Sequence, residues 1–258
     1  MATITSVIQQ KGGVGKSTTA QAIGAYYAGK GKNVLLVDLD SQRNLTLAVK
    51  DVKEGELSSF DVLFDRRKCK KAIVHVTDNL DIIPASDEDP AAIGKSFAKL
   101  TVGREYQLKE ALSVLLNRYD HIVIDTPPAL SELTINALTA SDRIVVPAQA
   151  DFFSLAAIDD VAKTINAVRQ YTNPGLVVSG ILLTRYNYRP RLTKDLTEVI
   201  EQMAKALGTK VFKSKIREAV AIREAQLLKQ DIFSFAPDSK VAADYKSFCD
   251  ELDEDSRK

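Results

Sequence analysis

The chain has 258 residues, 45% of them hydrophobic, with 35 basic against 34 acidic side chains and a formal net charge of +1. That length supports a large buried core within one domain, and the balanced charge excludes polyanion binding driven by bulk charge alone. Two cysteines, Cys69 and Cys249, exclude a disulfide framework, and neither they nor His75 and His121 show the spacing of a metal site.

In chain order, the first element is an apolar stretch, Ile4 to Ile8, that reads as a strand. It enters Gln10-Lys11-Gly12-Gly13-Val14-Gly15-Lys16-Ser17-Thr18 and is followed by a helical run from Thr19. A strand, a glycine loop and a helix are the context a phosphate-binding loop requires. Gly12, Gly13 and Gly15 let the backbone amides of the loop close on phosphate oxygens, and the helix N-terminus adds positive potential. Lys16 then reaches the β- and γ-phosphates, and Ser17 offers its hydroxyl to Mg²⁺. Gln10 stands where the common loop has glycine, so the motif is the deviant form KGGVGKS, with Lys11 ahead of the glycines.

Asn33 to Asp40 is an apolar run ending in two carboxylates, Asp38 and Asp40, which alternate and therefore share one side of a strand end. His121 to Asp125, followed by Thr126-Pro127-Pro128, delivers a third acid to the edge where open α/β sheets bind ligands. His121 opens this strand and reads as structural. Further strands are predicted at Leu80 to Pro84, Arg143 to Pro147 and Leu176 to Thr184. Helices are predicted at Tyr106 to Tyr119, Leu155 to Tyr171, Arg191 to Leu207 and Val241 to Leu252. This alternation predicts an α/β fold, a mostly parallel twisted sheet with helices on both faces. No linker composition divides residues 1–258, so they read as a single domain. Asp51 to Asn79 is the least regular stretch and predicts small helices or a lid-like surface.

These segments resemble the ParA/MinD group of deviant-Walker P-loop ATPases, ParA partition proteins most closely. KGGVGKST, VLLVDLDSQRN, HIVIDTPP and Arg143 to Gln149 occur in the family's order and at about its spacing. The resemblance implies ATP and Mg²⁺ as cofactors, weak intrinsic ATP hydrolysis, and a nucleotide-sandwich homodimer in the ATP state. Lys11 would then be the signature lysine that crosses to the partner's ATP, and Asp40 would position the attacking water. Asp125 would be the Walker B acid acting on Mg²⁺ through water, with Ser17 and Asp38 beside the metal. The nucleotide contacts would run from Lys11 through Val14 to Thr18, with Thr184 and Arg185 meeting the adenine base and Ser131 to Ala140 as a switch. The family usually follows its paired acids with Pro-Gln-Gly-Asn, where this chain has Ser41-Gln42-Arg43-Asn44.

The loop begins at residue 10, which predicts a small form with no helix-turn-helix module ahead of the ATPase. Basic residues cluster at Arg185, Arg189, Arg191 and Lys194, and again at Lys210, Lys213, Lys215, Arg217 and Arg223. Of these, Arg189, Lys213, Lys215, Arg217 and Arg223 are the candidate contacts to DNA phosphates, without reading of bases. The segment from Lys213 to Ala225 departs from the family's Ile-Pro-Arg-Asn-Val-Arg-Leu-Ser-Glu-Ala: Arg217 replaces the proline, and Glu218 and Ala221 replace arginines. The resemblance further implies a ParB-like partner and a nucleoid-associated place in the cytoplasm, for plasmid or chromosome segregation. The alternatives are a MinD-like or cargo-positioning ATPase on a membrane or protein matrix, an iron-protein-like reductase, and a scaffold that binds ATP without hydrolysing it. The acidic ending Asp250 to Asp255 disfavours anionic lipid, so no membrane partner is expected. The absence of cluster-ligating cysteine context disfavours the reductase.

Overall fold

A computed structural model describes residues 1–51, 56–188 and 190–255. Seven strands form one sheet in the order β3-β4-β2-β5-β1-β6-β7. They are β1 (Thr3–Val7), β2 (Val34–Asp38), β3 (Val74–Thr77), β4 (Leu80–Ile83), β5 (His121–Asp125), β6 (Arg143–Ala148) and β7 (Val177–Leu183). All pairs are parallel except β3 with β4. The helices are α1 (Lys16–Gly29), α2 (Asn44–Val49), α3 (Ser59–Phe64), α4 (Pro90–Ala98), α5 (Gln107–Leu112), α6 (Glu132–Ala140), α7 (Phe152–Tyr171), α8 (Arg191–Ala206), α9 (Val220–Leu227), α10 (Ile232–Phe235) and α11 (Lys240–Asp255).

Strands buried on both faces need apolar residues at every position, which is why β2 reads as an unbroken run rather than an alternation. Val7, Leu36, Val123, Val145 and Leu182 meet α1 and α11 on one face, through Ile23, Tyr27, Tyr245, Phe248 and Leu252. On the other face Leu35, Val37, Ile122 and Ile124 pack on Phe97, Leu108, Leu112 and Ala137 of α4 to α6. Ile144, Val146, Ile181 and Leu183 pack there on Ile158, Ile165 and Ile200 of α7 and α8. Cys69 and Cys249 are free and buried.

Beyond β7, residues 210–216 run alongside the strand: Phe212 N–H donates to Ile181 O at 3.0 Å and Ile216 N–H to Leu183 O at 2.8 Å. The outer margin of β7 is thereby covered.

Three expectations shift. The helix expected over 106–119 is α5 followed by a 3-10 turn, Ser113–Leu115, because Ser113 Oγ bonds back to Glu110 O at 2.7 Å and draws the backbone out of the α form. The helix expected from Leu155 starts at Phe152, because Asp151 caps it. The irregular stretch 51–79 contains α3, a 3-10 turn and the antiparallel edge strand β3, with residues 52–55 outside the described residues.

Candidate active site

Three strands deliver the site. Register places Asp125 opposite both Val7 of β1 and Asp38 of β2, so the phosphate loop and two acids leave the sheet side by side. Gln9 anchors the loop's entry, its Nε2 donating to Pro147 O at 3.3 Å and its Oε1 accepting from Gln10 N–H at 2.8 Å. Gly13 and Gly15 have φ of 74° and 84°, the left-handed region that side chains with a Cβ disfavour. Gly15 caps α1 without any side-chain hydrogen bond, and no acid sits in the first turn. The first-turn amides therefore keep their affinity for an anion. Together with Lys16, Ser17 and Thr18 they line a cavity of about 770 Å³, within the range of small-molecule sites.

Lys16 is 8% exposed. Burial lowers its ammonium pKa, with Asp125 and Asp40 pulling the other way. Asp125 is fully buried, and neither carboxylate oxygen has a hydrogen-bond partner among the described residues. Burial, then the charge of Asp38, push its carboxyl well above the usual range, against the Ser17 hydroxyl and Lys16. An unsatisfied buried carboxylate beside a serine hydroxyl is a donor set suited to a hard divalent cation that keeps some of its water. No group of three or more His, Cys, Asp or Glu side chains that could cage a metal occurs among the described residues. The remaining ligands of Mg²⁺ would thus come from phosphate and water, and Ser17 and Asp125 fit that pattern.

Asp38 is held by its own loop. Its Oδ1 accepts Asp40 N–H at 3.0 Å, and its Oδ2 accepts the N–H and hydroxyl of Thr46 at 2.9 and 2.7 Å. Both oxygens thereby shape the loop between β2 and α2. Burial raises this carboxyl to about 6 despite the Thr46 and Asp40 donors. Asp40 lines the cavity, and its Oδ1 accepts Gln42 N–H at 3.0 Å. Arg43, where the family has glycine, keeps the left-handed backbone at φ 57°.

Thr184 and Arg185 line the same cavity as the phosphate loop. Thr184 Oγ1 donates to Val14 O at 2.8 Å, so it braces the phosphate loop against the end of β7. The Arg185 guanidinium lies 3.6 Å from Glu218, and a Cβ built on Gly13 would meet its Nη1 at 4.0 Å. The arginine thus spans from the end of β7 to the loop. The apolar wall of the cavity comes from Ile216, Ala219 and Ile222, and Gln226 of α9 donates to Thr18 Oγ1 at 3.1 Å. Sequence reading missed α9 because its eight residues, Val220–Leu227, span about two turns, too few for a helical period to stand out.

Lys11 is held within its own chain: it donates to Gln149 Oε1 at 3.2 Å and pairs with Asp151. The signal for Asp151 was available, since an aspartate three residues ahead of Ser154 is a helix N-cap pattern.

The basic candidates divide. Arg217 is bound by Asp244, Nε and Nη2 reaching its two oxygens at 2.6 and 2.8 Å, and its N–H at 3.1 Å. Lys215 lies against Tyr186, 4.4 Å from the ring centroid. Lys213 and Arg223 are exposed. Arg189 lies outside the described residues.

A parallel sheet whose first strand enters a KGGVGKS loop, with acids at the ends of neighbouring strands, defines a P-loop nucleoside triphosphatase of the deviant-Walker class. Comparison with known proteins places it further. Residues 2–178 match the family model of an AAA domain. The chain is 37% identical over 254 residues to the sporulation initiation inhibitor protein Soj of Bacillus subtilis, covering 98% of each. It is 36% identical over 249 residues to the chromosome-partitioning ATPase Soj of Thermus thermophilus, covering 96% of this chain and 94% of the relative. A crystal structure of cobyrinic acid a,c-diamide synthase from Mycobacterium smegmatis with bound ATP analogue and magnesium has a TM-score of 0.84 at 31% identity, covering 100% and 96%. The chain belongs to the Soj/ParA family of ATPases.

Proposed function

We propose that this protein is a ParA-type ATPase for DNA segregation, of a plasmid or a chromosome, acting as an ATP-dependent sandwich dimer that binds DNA without regard to sequence. The observation that carries the reading is Lys11: a second lysine on an otherwise complete phosphate loop, whose own Lys16 already faces Asp125 and Asp40. One lysine serves the nucleotide in its own chain, and the other is available to a nucleotide presented by a second copy.

The loop amides and Lys16 hold the β- and γ-phosphates. Ser17 and Asp125 would hold Mg²⁺, which would supply neutralisation of charge on the phosphate oxygens. Asp40 orients the attacking water. Lys11 from the second copy stabilises charge on the transferring group, as cations supplied by another chain do in phosphoryl transfer. Hydrolysis would release the dimer and its DNA, and a ParB-like partner would accelerate it. Lys213 and Arg223, both exposed, are the described candidates for phosphate contact, with Arg217 paired to Asp244. The apolar face of α11 is buried through Val241, Tyr245, Phe248 and Leu252, which supports DNA over a membrane as the matrix. No described helix is long and apolar enough to cross a membrane.

The test is binding of unrelated DNA sequences with Mg-ATP against Mg-ADP over a salt series. Binding confined to ATP and lost as salt rises is expected. Equal, negligible binding in both states would remove the DNA reading and turn the search to a membrane or a protein assembly. A Lys11→Ala protein that dimerises and hydrolyses ATP normally would remove the trans role.

A further inference from the structure

Lys11 is restrained by groups that are themselves fixed. Asp151 precedes α7 and caps it, its Oδ1 accepting Ser154 N–H at 2.9 Å, which leaves Oδ2 for the lysine. Gln149, the second acceptor, has its own N–H on Ser154 Oγ at 3.3 Å. A carboxylate already ordered by a helix start loses less side-chain freedom on pairing than a free surface acid does. Burial raises the Asp151 carboxyl, but the Lys11 contact and the Ser154 N–H outweigh it and hold the group below the usual range. The pair remains reachable, with side-chain exposures of 24% for Lys11 and 34% for Asp151. Beside it, Phe152 and Phe153 are each 74% exposed, an aromatic surface at the point the lysine must leave.

We propose that Asp151 is a positioning residue for Lys11, holding the lysine within its own subunit until a second copy carrying Mg-ATP offers it a stronger anion. The inference rests on the reading that Lys11 acts across a dimer. The lysine cannot occupy both places, so the ion pair lowers the fraction of chains competent to dimerise and weakens the apparent dimer constant by that fraction. Triphosphate carries several negative charges against the single charge of Asp151, so nucleotide on the partner shifts the lysine outward.

Asp151→Asn tests this cleanly, because asparagine caps a helix about as well as aspartate and α7 keeps its start. Dimerisation with Mg-ATP is followed by sedimentation for the wild type, Asp151→Asn, Lys11→Ala, the double variant and Asp151→Glu, with thermal melts alongside. Asp151→Asn is expected to lower the dimer dissociation constant about five-fold, the scale of a partly exposed ion pair, and to raise hydrolysis at protein concentrations below that constant. Asp151→Glu restores the wild-type constant, and in the Lys11→Ala background Asp151→Asn changes nothing. Asp151→Ser, which also caps, carries the same expectation as Asp151→Asn should the latter melt early. A dimer unchanged or weakened in a well-folded capping variant, or tightened equally with and without Lys11, overturns the restraint. Loss of dimers in Lys11→Ala with no gain in Asp151→Asn overturns the restraint alone. Normal dimers in Lys11→Ala overturn the trans reading, and the restraint with it.

Discussion

At the carboxyl ends of the strands the chain buries Asp125 with only the Ser17 hydroxyl and Lys16 to oppose its burial, whereas at the amino ends of β5 and β6 it buries Arg143 among partners. Arg143 donates to Thr5 Oγ1 at 2.9 Å, Leu252 O at 3.2 Å and Tyr27 OH at 3.2 Å, and Tyr27 stacks on His121 with ring centroids 3.7 Å apart. A buried carboxyl short of donors is a standing cost that a proton or a bound cation relieves, while a satisfied buried charge holds elements together. The first end is therefore built for binding and the second for cohesion, in this instance tying α1 and α11 to the sheet.

Substitutions at the two ends should behave oppositely. Asp125→Asn is expected to lower Mg-ATP hydrolysis on the order of a hundred-fold or more, measured by phosphate release. The same change should leave the stability of the nucleotide-free protein nearly unchanged in urea unfolding, because burial already drives the Asp125 carboxyl toward its neutral form. A loss of stability would erase the contrast. Arg143→Ala should cost about 3 kcal/mol of stability by stranding its partners, with turnover per folded molecule nearly unchanged.

His121 sharpens the cohesive end through pH. Burial, then Arg143, lower its imidazole from 6.5 to about 4. The unfolded chain takes up the proton first, so this contribution to stability is complete above about pH 6.5 and is lost as pH falls toward 4. On the order of 2 kcal/mol should disappear across that window, and His121→Phe, which keeps a ring on Tyr27, should flatten the slope measured by denaturation at a series of pH values. The smallest effect concerns Arg43, whose φ of 57° is one that glycine adopts freely. Arg43→Gly should stabilise the protein by about 1 kcal/mol, read as a shift in the urea midpoint.

The phosphate loop, β2 and β5 were legible because local pattern alone dictates them: glycines at fixed offsets, and apolar runs that end in acids. What escaped depends on pairing across the chain. The bonds of Asp38 to Thr46 escaped because Thr46 lies eight residues away in another element, and only the turn between β2 and α2 brings its two donors back. Arg217 looks like a free cation because Asp244 belongs to α11. Edge strand β3 escaped for a different reason: in Val74–Thr77 partly covered and exposed residues alternate, so no buried run marks it.

The segment along the outer margin of β7 has a mechanical consequence. Between Lys213 and Ala219 a single stretch of backbone carries an exposed lysine at one end and the apolar wall of the nucleotide cavity, Ile216 and Ala219, at the other. Its bonds to β7 at Phe212 and Ile216 act as two pivots, and between them the N–H groups of Lys213 and Ser214 rest on one side chain, Glu251. The exposed lysine and the apolar wall therefore belong to one pinned segment of backbone rather than to two independent loops.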